Sequence, residues 1–253
     1  MIILKSPREI ALMRAGGRIL AEVMERLRVL VKPGISTAEI DREVEAFIES
    51  RNAKPAFKGY RGFPATVCTS INEEVVHGIP SPQRRLKEGD IIGLDLGCVV
   101  DGYYADCAFT VPVGEVSPRV QQLLDVTHES LARAVEQCRP GRRLGDISHA
   151  VQQHVERHGF SVVRAFVGHG IGRELHEDPQ IPNFGDPGRG PVLKPGMVLA
   201  IEPMVTMGGW EVRILADRWT AVTEDGSLAA HFEHTVAITE NGPDVLTRLD
   251  QAA

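Results

Sequence analysis

Acidic residues stand in stretches that otherwise read as core. Asp95 and Asp106 fall in the run IIGLDLGCVVDGYYADCAFTV, Glu202 in LAIEPM and Glu233 in HFEHTVAI. A buried carboxylate is costly to desolvate unless something cationic neutralises it. These four carry a charge that two divalent cations would balance. His169 in VGHGIG is the best candidate for an imidazole completing such a site, because the flanking glycines let the backbone approach closely. Oxygen-rich donors with one imidazole favour Mn, Fe or Co over a thiolate-rich zinc site. Two such ions roughly 3.5–4 Å apart share a hydroxide nucleophile and polarise a carbonyl, which is hydrolytic chemistry. The glycines also invite a phosphate-loop reading. That reading fails because Arg173 occupies the place of the third glycine in GxGxxG and no acid follows at the expected distance.

The elements that must position these groups begin with a hairpin. Asp101-Gly102 suits a two-residue type I′ turn, and in that register Asp95 opposes Ala108 and Asp106 opposes Gly97. Both aspartates then share one face as diagonal neighbours. Gly93, Gly97 and Ala108 leave that face clear, while Leu94, Leu96, Cys98, Val100, Cys107 and Phe109 form a core face. For the hairpin alone, a solvated polar face accounts for the two aspartates as well as a metal does. Glu202 and Glu233, in equally apolar runs, tip the reading toward metal.

An internal repeat frames the hairpin. Residues 31–52 and 138–159 align without gaps, sharing basic-Pro-Gly and matching Ile40 with Ile147 and Val44 with Val151. The same offset lays KEGDIIGLD (87–95) on KPGMVLAIE (194–202) and so places Asp95 on Glu202. Helices are expected over 7–31, 36–51, 117–138 and 144–158. Strands are expected over 65–70, 90–100, 103–112, 161–167, 197–206, 212–223 and 228–239. Two helices followed by strands, twice over, give one α+β domain spanning 1–253, with halves at roughly 1–115 and 116–253.

A chain of 253 residues, 43% hydrophobic, buries a core without disulfides, so Cys68, Cys98, Cys107 and Cys138 read as free thiols in a reducing compartment. Too few apolar residues precede Lys5 for a signal peptide, and no run is long enough to span a bilayer, so a cytoplasmic location without membrane association is expected. The net charge of −6, with no basic cluster and no nucleic-acid motif, argues against a polyanionic partner.

The segments TSINEEVVHGIP, GLDLGCVVDGYYADCAFT, GHGIGRELHEDPQIPNFG, LAIEPM and HFEHT together resemble the methionine aminopeptidases of the short, type I kind. The similarity runs essentially end to end. It implies the pita-bread fold, two pseudo-symmetric halves around a central dinuclear metal site. The implied ligands are Asp95, Asp106, His169, Glu202 and Glu233. Asp106 and Glu233 bridge both ions, Asp95 serves one, and His169 and Glu202 serve the other. Co, Mn or Fe fit best, with Zn or Ni as further possibilities. Glu202 is the implied acid/base. His77 is the implied partner of the scissile amide and leaving amine, and His176 the donor to the substrate carbonyl. The resemblance implies removal of N-terminal methionine from nascent polypeptides when the second residue is small, by a ribosome-proximal monomer.

The same resemblance puts the methionine side chain among Tyr60, Phe63, Cys68 and Trp219, where aromatic edges and a thiol suit a thioether. Leu175 departs from the aromatic residue that some relatives carry there. Trp219 presents a difficulty, since a simple two-residue turn at Asp225-Gly226 would put it on the face opposite Glu233. His231 and His234 read as strand neighbours of Glu233. His128, His149, His154 and His158 read as surface or packing residues on helices. Two other functions share the pattern. A proline-specific peptidase such as a prolidase or aminopeptidase P usually carries a large N-terminal domain. A binding protein of the same fold with a dead site does not need all five ligating side chains. The type II enzymes need a helical insertion for which the segment between Glu202 and Glu233 has no room.

Overall fold

In the computed structural model, residues 1–249 are described; the last four residues of the expected 1–253 domain lie outside them. Helices α1 (Pro7–Leu30) and α2 (Thr37–Ser50) precede strands β1 (Lys54–Pro55), β2 (Val67–Ile71), β3 (Glu74–Val76), β4 (Ile91–Val100) and β5 (Tyr103–Pro112). Helices α3 (Pro118–Glu136) and α4 (Leu144–Arg157) follow. The remaining strands are β6 (Ser161–Val162), β7 (Gly168–Gly170), β8 (Glu177–Ile181), β9 (Val198–Ile201), β10 (Met204–Thr206), β11 (Val212–Ile214), β12 (Ala221–Thr223), β13 (Ala229–His231), β14 (Glu233–Thr239) and β15 (Gly242–Val245). A nine-stranded sheet runs β1-β4-β5-β14-β9-β7-β8, with β2 on β4 and β15 on β14. Two three-stranded sheets, β13-β10-β6 and β11-β12-β3, complete the β structure.

The helices start where local chemistry starts them. Ser6 and Ser36 each close a capping box with the glutamate three residues on, Glu9 and Glu39. Pro7 and Pro118 occupy the first turn, where a missing N–H costs nothing. Helix α1 lies close on the sheet because Gly17 has no side chain: a Cβ there would come within 2.2 Å of the Leu246 carbonyl oxygen.

The two halves are built alike around their Pro-Gly turns. Gly34 N donates to Leu86 O at 2.8 Å, and Gly141 N donates to Leu193 O at 3.0 Å. Thr37 N bonds Arg84 O, and Leu144 N bonds Pro191 O. Isolated bridges pair Ser36 with Arg85 and Arg143 with Val192. Each of these pairs of contacts is related by the shift that superposes Asp95 on Glu202 in sequence.

The halves differ where the strands reach the acids. Strands β4 and β5 continue unbroken through Asp95 and Asp106. The expected 197–206 strand instead splits at Glu202-Pro203, because Pro203 has no N–H to give a ladder. Its first part joins the large sheet and its second the β13-β10-β6 sheet. The expected 228–239 strand splits likewise at Phe232, whose N–H bonds the Pro203 carbonyl. The expected 212–223 strand is a hairpin, turned by Leu215 N to Thr220 O and by Asp217, which accepts from Trp219 N and Thr220 N. Of 161–167 only Ser161–Val162 is strand.

Among the described residues no helix is long and apolar enough to cross a membrane. All four cysteines are buried and free. Cys98 and Cys107 are diagonal, since Leu96 pairs with Cys107 and Cys98 with Ala105. Thiol titration of the denatured, unreduced protein is expected to count four; a count of two would contradict this arrangement.

Candidate active site

The hairpin holds the first two acids as its turn chemistry dictates. Asp101 and Gly102 both have left-handed φ, +49° and +80°, as a type I′ turn requires. Asp95 consequently pairs with Ala108 and Gly97 with Asp106, leaving both carboxylates on one face. Strand β14 docks against β5 with Glu233 also opposite Ala108. Glu233 and Asp95 thereby flank one small residue on the same face. The Thr235 hydroxyl clamps this junction, accepting from Asp106 N at 3.0 Å and donating to Asp106 O at 2.7 Å.

His169 enters from β7, which pairs with β9 at Ala200. Its Nδ1 is 2.9 Å from the Gly170 carbonyl, so Nδ1 carries the proton and the Nε2 lone pair faces the acids. Nε2 lies 3.6 Å from Glu202 Oε1 and 4.0 Å from Asp106 Oδ2. Donor atoms of Asp106, His169 and Glu233 all fall within 4.8 Å of one another. Asp95 and Glu202 line the same cavity of about 160 Å³.

The donor set fits cations. Asp95 Oδ1, Asp106 Oδ1 and Glu233 Oε1 are buried without a hydrogen-bond partner, which is costly for isolated carboxylates. Burial, and then mutual repulsion, drives Asp106, Glu202 and Glu233 well above the usual carboxylate range, and burial lifts Asp95 to about 7. Burial also lowers His169 to about 4, keeping its imidazole neutral and able to ligate.

The other residues expected to meet substrate, Tyr60, Phe63, Cys68, His77, His176 and Trp219, line this same cavity. His77 follows β3 with a left-handed φ of +62°, a conformation non-glycine residues seldom hold outside sites that over-determine it. Its ring stands edge-on to Phe166 at 5.6 Å and to Trp219 at 6.3 Å. Burial lowers it to about 4. His176 stacks on Tyr60, with Nδ1 2.9 Å from the Tyr60 hydroxyl, and its ring lies 4.3 Å from that of His169. Phe63 and Trp219 meet edge to face at 5.2 Å. Burial, reinforced by Asp95 and Asp106, raises the Cys68 thiol well above its ordinary value and keeps it neutral.

Three details depart from the sequence expectations. Gly97 does not clear space: a Cβ there would lie 2.9 Å from Phe57 Cε1, so the glycine seats Phe57, a cavity wall. Trp219 reaches the cavity from the turn that joins β11 to β12, and β12 pairs with β11 and β3, so Asp225-Gly226 does not join a simple hairpin. His231 is more than a strand neighbour. It is buried, with Nε2 unpartnered, 3.9 Å from Glu202 Oε2 and 4.0 Å from Glu233 Oε2. The signal for it was its place two residues before Glu233. Arg61 and Leu175 also line the cavity.

Buried acids and a neutral imidazole around one cavity, at the meeting of two like-built halves, define a metallopeptidase of the pita-bread fold. The profile of Metallopeptidase family M24 matches residues 11–240. Methionine aminopeptidase 1 of Bacillus subtilis is 57% identical over 98% of this chain and all of its own length. The crystal structure of methionine aminopeptidase from Thermotoga maritima matches with a TM-score of 0.97 at 50% identity, covering 98% of this chain and 100% of that one. Prolidase from Pyrococcus furiosus matches at 0.78 and 26% identity, covering 98% of this chain but 66% of that one. The chain belongs to metallopeptidase family M24, and within it to the methionine aminopeptidases.

The raised carboxyls have a measurable consequence. In the cation-free folded state they bind protons more tightly than in the unfolded chain. Their contribution to stability is therefore complete below the ordinary Asp value of 3.8 and is lost as pH rises through about 7 for Asp95. Cation binding must expel those protons. Calorimetric titration of chelator-stripped protein with Mn at neutral pH, in buffers of different ionisation enthalpy, is expected to show release of about one proton or more per chain. Metal binding without proton release would contradict the assignment.

Proposed function

We propose that this chain removes the N-terminal methionine from polypeptides whose second residue is small, using two divalent ions. The carrying observation is that five ligating side chains and two further imidazoles converge on one cavity with unpartnered carboxylate oxygens. Asp106 and Glu233 would bridge the ions, Asp95 would complete one, and His169 with Glu202 the other. Co, Mn or Fe suits these oxygen-rich donors best, with Zn or Ni as alternatives. When bound, such ions polarise a carbonyl and lower the pKa of water toward neutrality.

The chain's own groups do the rest. Glu202 takes the proton of the attacking water and returns it toward the leaving amine. The Tyr60 hydroxyl lies 2.9 Å from His176 Nδ1; by donating there it would leave His176 Nε2–H free to donate to the substrate carbonyl as charge develops. His77, held by its aromatic neighbours, meets the scissile amide and the departing nitrogen. Tyr60, Phe63, Cys68 and Trp219 receive the methionine side chain, and a protonated Cys68 keeps that wall free of charge.

The chain acts as a cytoplasmic, ribosome-proximal monomer on emerging N-termini in this reading. It forms one domain whose halves, roughly 1–115 and 116–253, arose by duplication, an idea supported by the matching Pro-Gly turn contacts. Likeness to a prolidase at 26% identity favours the proline-specific alternative far less than 57% identity along the whole of a methionine aminopeptidase favours this one. Met-Ala-Ser is expected to be cleaved, with loss under chelator and recovery on adding Mn, Fe or Co, while Ala-Pro-Ala is left intact. Cleavage of the proline peptide without action on Met-Ala-Ser would overturn the proposal.

A further inference from the structure

His176 is carried on a short turn between β7 and β8, and the front of that turn meets Tyr60 and His169. Its back is held by a buried ion pair. Lys5 Nζ lies 2.5 Å from Glu177 Oε2, and the two side chains are only 4% and 7% exposed. The other carboxylate oxygen, Glu177 Oε1, accepts from Arg173 N at 2.9 Å and Glu174 N at 3.3 Å. Lys5 is fixed in turn: its backbone N donates to Gly196 O at 2.7 Å, and Nζ also donates to Ile3 O at 3.1 Å. The pair packs directly on the turn's backbone, since a Cβ on Gly172 would lie 2.4 Å from Lys5 Cε and 2.6 Å from Glu177 Oε1.

Taking two charges out of water is expensive, and an apolar pair of similar volume is often at least as stable. An apolar pair could not, however, accept two backbone N–H groups and fix the turn that presents the neighbouring residue. We propose that Lys5 and Glu177 are positioning residues for the hydrolytic reaction, acting through His176; this rests on the function proposed above. Lys5 anchors the Glu177 carboxylate to the segment leading into β9. The carboxylate fixes the amides at 173 and 174, and the fixed turn aims His176 Nε2 into the cavity. Neither residue lines that cavity.

The test is a double-mutant cycle on metal-loaded protein. Lys5→Met and Glu177→Gln are made in the parent and in His176→Ala, with turnover of Met-Ala-Ser and metal content measured below each variant's melting midpoint. In the parent background kcat is expected to fall by about tenfold or more, as a misplaced catalytic group implies, with metal content unchanged. In the His176→Ala background the same changes are expected to cost less than about twofold, because the group they aim is gone. Equal losses in both backgrounds, or no loss in the parent, would overturn the proposal. Glu177→Gln keeps the side chain's shape and serves if Lys5→Met does not fold. Amide hydrogen exchange at Arg173 and Glu174 gives an activity-free reading: it is expected to rise in Glu177→Gln, and unchanged exchange would count against the pair's hold. A parent inactive on Met-Ala-Ser would instead sink the proposed substrate and leave exchange to judge the turn.

Discussion

Four carboxylates facing one small buried cavity repel one another, and that repulsion is the constraint around which the rest of the chain is arranged. Asp106 and Glu233 are almost wholly buried, and burial with mutual charge pushes both well above the ordinary carboxylate range. Hydrogen bonds do not relieve them, because one oxygen on each has no partner. A bound cation would, by setting opposite charge against those oxygens. The neutral imidazole of His169, its Nδ1 tied to a backbone carbonyl, completes the donor set without adding charge.

The fold answers this constraint twice, in different ways. In the first half a type I′ turn and an unbroken hairpin put two aspartates on one face. In the second half the equivalent strand breaks at Pro203 and the chain changes sheets, so Glu202 and Glu233 stand at strand ends rather than mid-strand. Strand β14 then brings Glu233 beside Ala108, across from Asp95. The two further imidazoles of the cavity are set with comparable firmness: His77 by a left-handed backbone between aromatic rings, and His176 by Tyr60 in front, on a turn whose amides Glu177 holds behind.

Much of this was legible in residue order because its causes are local. The Asp101-Gly102 turn specifies its own register, the Ser6 and Ser36 boxes start their helices, and the repeated Pro-Gly turns mark the halves. What escaped depends on distant partners. Pro203 sits in a run that reads as one strand until the sheets it joins are known. Trp219 depends on β12 pairing with β11 and β3 across the turn that carries it, and Gly97 on Phe57 folding over it. His231 looked like a neighbour of Glu233, although a spacing of two already put both on one side of an extended chain. Lys5 and Glu177 are 172 residues apart, and nothing near either one announces the other.

The claim that cations, shared through a bridging aspartate, hold this cavity together is tested most directly by metal content in two variants. Asp106 is assigned to both ions and Asp95 to one. Purified Asp95→Asn is expected to retain about one tightly held ion per chain, since the His169–Glu202 side keeps its ligands, whereas Asp106→Asn is expected to retain less. Equal stoichiometry and equal affinity in the two proteins would contradict the account.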